Sequence, residues 1–210
     1  MKMIVSAALA LFAAAPALAS SSEFLVDFEK SWDYSNGDVN GYYNGGTAAD
    51  ASVGANLGVA FVNVSGLSND ADFTYYTGAP SPQGTAYAHT FAATDQAFMN
   101  VAAGVENALQ FYYSSPIAVV GAVKAYAGLN GTGALLGTFD IAANTAGPTY
   151  DNWTPVQFTF AGTAKSFDLT ASANVVGLDN ISAVPEAGSL MMMLAGGALL
   201  SGVALRRRRA

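Results

Sequence analysis

The stretch from residue 20 to residue 183 is written in alternation. In EFLVDFE, Phe24, Val26 and Phe28 fall on one side, and Glu23, Leu25, Asp27 and Glu29 on the other. VAFVNVS, TAYAHTF, NALQFYY, IAVVGAVKAYAG, ALLGTFDIA, VQFTFAG, KSFDLTA and NVVGLDNIS continue the series, and recurrence at three- and four-residue spacing is scarce. Successive side chains of a strand point to opposite faces, so a chain patterned with period two must bury one face of a sheet. Turn signals break the pattern at short intervals. GLNGTG (Gly128 to Gly133) contains Asn-Gly, which suits the left-handed dihedrals of tight turns and predicts a β-hairpin over 117–140. NGYYNGGTAADASVGANLG, TGAPSPQGT and ANTAGPTYDNWTP are longer connections. TDQAFMNVAAGVENA reads either as one short helix or as a strand and a turn. Ten or so short strands predict an all-β domain over 20–183, a two-sheet antiparallel β-sandwich of jelly-roll type, with no internal repeat or boundary.

Its 164 residues suffice for one core. Fourteen acidic side chains stand against Lys30, Lys124 and Lys165, a balance of −11 that the whole-chain −7 conceals. Such a surface repels nucleic acid and anionic headgroups and tolerates divalent cations. Without cysteine there are no disulfides, so packing, and metal where present, must supply the stability. His89 is the only histidine, which rules out a His/Cys zinc site and makes His89 the one candidate base for a Ser-His-Asp arrangement.

The ends are of another kind. Lys2, the apolar run Ile4 to Ala15 and the small-x-small pattern Ala17-Leu18-Ala19 read as a signal peptide over 1–19, cut before Ser20 by signal peptidase. From Gly188 to Leu205 there is no charge. As a helix these eighteen residues reach about 27 Å, close to a bilayer's hydrocarbon thickness. Arg206, Arg207, Arg208 and Arg209 follow, and arginines beside a span stay on the cytoplasmic side. The domain before the span is then expected outside, as the signal peptide requires.

Val184-Pro185-Glu186, the apolar run and the terminal arginines together resemble the PEP-CTERM sorting signal, over residues 184–210. That family usually carries a second proline where this chain has Ala187. The resemblance implies export in a Gram-negative bacterium that makes exopolysaccharide. It also implies an inner-membrane-anchored precursor with a periplasmic domain, recognition by exosortase, and release to the cell surface or extracellular matrix.

Within the domain, VDFE near the start and GLDNIS near the end resemble the jelly rolls of carbohydrate-binding modules, where a first-strand Glu and a last-strand Asp hold a structural calcium. The resemblance implies Glu29 and Asp179 as ligands, and calcium does favour carboxylates with carbonyls. A sugar platform would need exposed rings. Tyr42-Tyr43, Tyr75-Tyr76 and Tyr112-Tyr113 are doublets, and Trp32, Tyr34, Tyr150 and Trp153 sit in or near loops. In a strand each doublet sends one ring inward and at most one outward. Tyr42, Tyr43 and Trp153 are the loop positions expected to meet a glycan. A glycosidase needs one acid with a raised pKa and a second at a set distance; the alternation of Asp70 and Asp72 in SNDAD does not by itself make such a pair and fits a turn better.

These readings converge on an exported, non-enzymatic surface or matrix protein associated with exopolysaccharide and biofilm, with no cofactor unless the calcium is present and no nucleic-acid partner. A polysaccharide-binding module with structural calcium, a purely structural or adhesive protein, and a secreted glycan hydrolase are the alternatives.

Overall fold

The computed structural model describes residues 23–146 and 149–183. The signal-peptide residues Ala17, Ala19 and Ser20, the tail from Val184 through Pro185 and Glu186 to Arg209, and the span 188–205 lie outside the described residues. Among the described residues no helix is long and apolar enough to cross a membrane.

Among the described residues nine strands form: β1 (Phe24–Val26), β2 (Val59–Val62), β3 (Val64–Leu67), β4 (Thr85–Ala88), β5 (Phe98–Ser114), β6 (Val119–Tyr126), β7 (Leu135–Ile141), β8 (Thr154–Asp168) and β9 (Gly177–Ala183). Three 3₁₀ turns, at Tyr34–Asn36, Tyr42–Asn44 and Thr170–Ser172, are the only helical elements among the described residues. The strands make one continuous hydrogen-bonded network in the order β3-β4-β9-β5-β8-β6-β7, with β1 also on β9 and β2 also on β5. Every strand pairing is antiparallel. The all-β antiparallel expectation holds, with nine strands in place of about ten.

The stretch that read as helix or strand is the first half of β5. It is strand because β2 and β8 flank it, pairing Val59 with Val101 and Phe167 with Met99. Those contacts bury Met99 and Val101, which a lone amphipathic helix could not do here. The predicted hairpin over 117–140 is β6 and β7, closed through Asn130 and Gly131, both left-handed (φ 52° and 68°).

β5 and β8 are twice the usual strand length, and their ladder is interrupted in the middle. Its register shifts between Asn100 and Val105 and again between Glu106 and Ala108. Gly104, Asn107 and Gly162 carry positive φ there. Such bulges bend and twist a strand. On one side of the break β5 borders β2; on the other it borders β9. One apolar cluster joins both regions, running from Phe28, Tyr43 and Phe61 to Phe111, Phe139, Phe158 and Phe167. Phe28, Phe158 and Phe167 are fully buried, each contributing about 1.5–3 kcal/mol by leaving water.

Candidate functional site: an aromatic groove

The tyrosine doublets behave as period two demands. Tyr76, Tyr113 and Tyr43 are buried, whereas Tyr75, Tyr112 and Tyr42 keep part of their surface. Tyr43 is 5% exposed and packs edge-on against Phe28, so its ring has no face for a sugar. Tyr42 leans on Trp32, with the Lys30 ammonium 5.6 Å from its ring. This corrects the expectation for that doublet: the 3₁₀ turn at 42–44 rolls both rings against the core.

The exposed rings gather elsewhere, around a recess of about 480 Å³. Thr85 and Tyr87 from β4 and Gly177 from β9 form its floor. Trp153 lies along one side because position 177 is glycine: a Cβ there would stand 3.0 Å from the indole. The Trp153 Nε1–H donates to the Thr77 carbonyl (3.2 Å), and Tyr76 meets the indole edge-on. Thr77 N–H donates to the Tyr150 carbonyl, and the Tyr150 hydroxyl donates to the Val175 carbonyl (2.8 Å). Loops far apart in sequence are thereby joined into one wall.

The rim carries Tyr34, Phe73 and Phe91, which are 63%, 57% and 87% exposed. Tyr34 stacks on Tyr75 at 5.5 Å with a 17° interplanar angle, and Phe73 abuts Tyr75 at 4.4 Å. The backbone at Phe73 and at Phe91 is held in a turn by a nearby carboxylate. Asp70 Oδ1 accepts from the Phe73 and Asp72 amides (2.7 and 2.9 Å). Asp95 Oδ2 accepts from the Ala92 and Phe91 amides (2.8 and 2.9 Å), and these two bonds hold its carboxyl below the usual range. Asp70 and Asp72 thus sit in a turn. Phe91 also lies against His89, ring centroids 4.9 Å apart.

Around the groove burial pushes the tyrosine hydroxyls up. It takes Tyr76 to about 12, helped by Asp179 and Glu29. Tyr87 and Tyr150 are raised chiefly by burial as well. They stay neutral donors at physiological pH.

His89 is buried, with Nε2 2.8 Å from Asp38 Oδ1. The Ser65 hydroxyl donates to the same Asp38 oxygen. The order is therefore Ser-Asp-His, whereas a serine nucleophile needs its proton on the histidine.

Glu29 and Asp179 meet the same segment. Glu29 Oε1 accepts from the Gln83 amide (2.9 Å), and Asp179 Oδ2 accepts from the Ser81 amide (2.8 Å). Asp179 is fully buried. Burial pushes its carboxyl up to about 7; the Ser81 and Asn180 amides pull back, and Glu29 repels. Oxygens dominate the surroundings. The Phe28 and Lys30 carbonyls crowd Gly84, and Asn180 Oδ1 accepts from the Ser81 hydroxyl. Among the described residues no three acidic or histidine side chains converge as a metal cluster. The oxygens that meet the 81–83 segment suit calcium in kind: the Glu29 and Asp179 carboxylates, with Asn180 Oδ1 beside them.

Of the residues singled out in the sequence, the structure brings Tyr34, Tyr75, Tyr150 and Trp153 to one groove and Glu29 and Asp179 to one corner. Phe73, Tyr87 and Phe91 were not anticipated there. No protein-family model matches this chain, and no curated protein does.

Proposed function

We propose that this is an exported, non-enzymatic protein whose domain holds polysaccharide at the cell surface or in the extracellular matrix. The observation that carries the reading is the groove: open, edged by aromatic rings, and floored by threonine and tyrosine hydroxyls. Sugar rings present C–H faces that stack on aromatics, and their hydroxyls need such donors and acceptors at the margins. Fixing Phe73 and Phe91 before a ligand arrives lowers the entropy lost on binding.

In this reading the strands fold into two layers about the β5–β8 break, giving the jelly-roll-like sandwich, and calcium sits at Glu29 and Asp179. Calcium would screen the charge that makes a buried Asp179 costly, and would tie β9 to the segment following β1. Signal peptidase cuts after Ala19, the 188–205 helix anchors the precursor in the inner membrane, and exosortase processes it at Val184-Pro185-Glu186.

A glycan array that includes the producing cell's own exopolysaccharide tests the reading. The wild type should be retained, and Trp153→Ala with Tyr34→Ala should lose retention while still folded by circular dichroism. No retention by the wild type would favour a structural role without a ligand. For export, replacing Pro185 and Glu186 should trap the precursor in the inner membrane, and unchanged release would refute the sorting role.

A further inference from the structure

The strand register shows where the groove leads. Antiparallel partners share a face of the sheet. Ser114 of β5 faces Gly177 of β9, over which the Trp153 ring lies. Two residues along, Tyr112 faces Pro155 of β8 and Asp179 of β9. Two further along, Gln110 faces Gln157 and Ser182. Pro155 and Gln157, and likewise Ser114, Tyr112 and Gln110, are spaced by two and so point the same way, and Trp153 stands just before β8 begins.

The last row borders a second, shallow recess of about 310 Å³, to which Tyr112, Pro155 and Asn180 also contribute. Here the two glutamine amides meet at 3.4 Å, a weak mutual bond that leaves most of their hydrogen-bonding capacity free. In the middle row the Asp179 side is capped by Ser81, so the open path runs over Pro155 and Tyr112. From Thr154, where β8 begins beside Trp153, to Gln157 is three steps of strand, about 10 Å. Linked pyranose rings cover that distance and one does not. Among the described residues no charged side chain lines either recess. Asp70 and Asp95 stand behind the rim, and no lysine among the described residues borders it.

Resting on the glycan reading above, we infer that the ligand is a linear, uncharged polysaccharide bound along its length: rings stacked in the aromatic groove, the chain crossing Tyr112 and Pro155, and hydroxyls held by Gln110 and Gln157 in the second recess. The amides accept and donate to hydroxyls without selecting for charge, while the acids behind the rim repel uronates, sulfates and phosphates.

The test is calorimetric titration of the full chain in detergent with gluco-, manno- and galacto-oligosaccharides graded from dimer to octamer, and with uronate oligomers of matched length. Affinity for at least one neutral series should rise about tenfold between short and long members, the gain expected of one or two extra hydrogen bonds. Gln110→Ala with Gln157→Ala should abolish that rise and leave the short members unaffected, whereas Trp153→Ala should weaken all lengths. Tyr112→Phe, which keeps the ring, should retain the rise. Binding that saturates at the shortest member and ignores the glutamines would overturn the track while leaving the groove reading intact. Uronates bound as tightly as neutral chains would overturn the charge assignment. No binding by any length or class would overturn both.

Discussion

Replacing Lys30 by methionine separates two contributions that the structure superimposes. The Lys30 ammonium pairs with Asp50, lies 2.8 Å from the Ser52 hydroxyl and stands 4.2 Å from the centre of the Trp32 ring. Methionine keeps the stem and removes the charge. Partial burial pushes Asp50 up, but the bonds from Lys30 and Ser52 outweigh it and leave the carboxyl at about 2, below its ordinary 3.8. That difference, at about 1.4 kcal/mol per pH unit, corresponds to roughly 2 kcal/mol before screening. The two side chains are 15% and 23% exposed, so about 1 kcal/mol is a fair share for the pair. The cation over the indole adds about 1 kcal/mol. Lys30→Met should therefore cost about 2 kcal/mol at pH 7, measured by urea unfolding of a 20–183 domain. A depressed carboxylate stabilises the fold above its unfolded pKa and loses that contribution as pH falls through its folded value. The gap between wild type and variant should hold from pH 7 to about 4, then shrink by about half toward pH 2, the indole contribution remaining. A gap that stays constant over this range would refute the assignment of half the effect to Asp50, and no gap at neutral pH would refute the whole network.

Three further outcomes follow from the same contacts. Gly66→Ala places a methyl group inside the Trp32 ring, which is pinned by its own N–H on the Phe28 carbonyl (2.8 Å), so unfolding should become easier by about 1–3 kcal/mol, read as a lower melting temperature. A calcium chelator should lower the melting temperature of the wild-type domain, and Glu29→Gln should blunt that response; equal melting with and without chelator would remove calcium from the corner. Asp95→Ala frees the Phe91 and Ala92 amides, so glycan affinity should fall severalfold with the melting temperature little changed, and unchanged affinity would mean that Phe91 takes no part.

Local physics was legible in the chain. Alternation in EFLVDFE became the buried-exposed-buried pattern of β1, and Asn-Gly at 130–131 became the β6–β7 turn. The strand order was not legible, because it is set by pairings between distant segments. β9, last in sequence, lies between β4 and β5, and β8 separates β5 from β6. Nor was the break in β5 foreseen, although Gly104 and Asn107 mark it. Among the described residues six asparagines, at 40, 63, 107, 130, 174 and 180, take left-handed dihedrals; Asn40 and Asn130 are followed by glycine and fell in stretches read as a connection and a turn, and the other four gave no such signal.

The site divides along the same line. One ring in and at most one out is a rule of neighbouring strand residues, so the doublets could be split from sequence, but not which ring of each faces outward. Which outward rings share a groove depends on β4 lying beside β9 and on the 69–77 and 149–153 loops being bonded through Thr77 and Tyr150. Tyr43 shows the limit of reading a glycine-rich loop as exposed: a 3₁₀ turn is tight enough to fold a ring back onto Phe28 and Phe61. Phe73 and Phe91 did carry a local signal. Each has an aspartate three or four residues away, and in both cases that carboxylate accepts the phenylalanine's own amide. These bonds fix the backbone from which each exposed ring projects, and in the proposed reading a glycan covers the rings. The amides of Gln110 and Gln157, whose single weak mutual bond leaves most of their donors and acceptors free, follow along the same strands, and in the proposed reading the groove and this row are two ends of one surface.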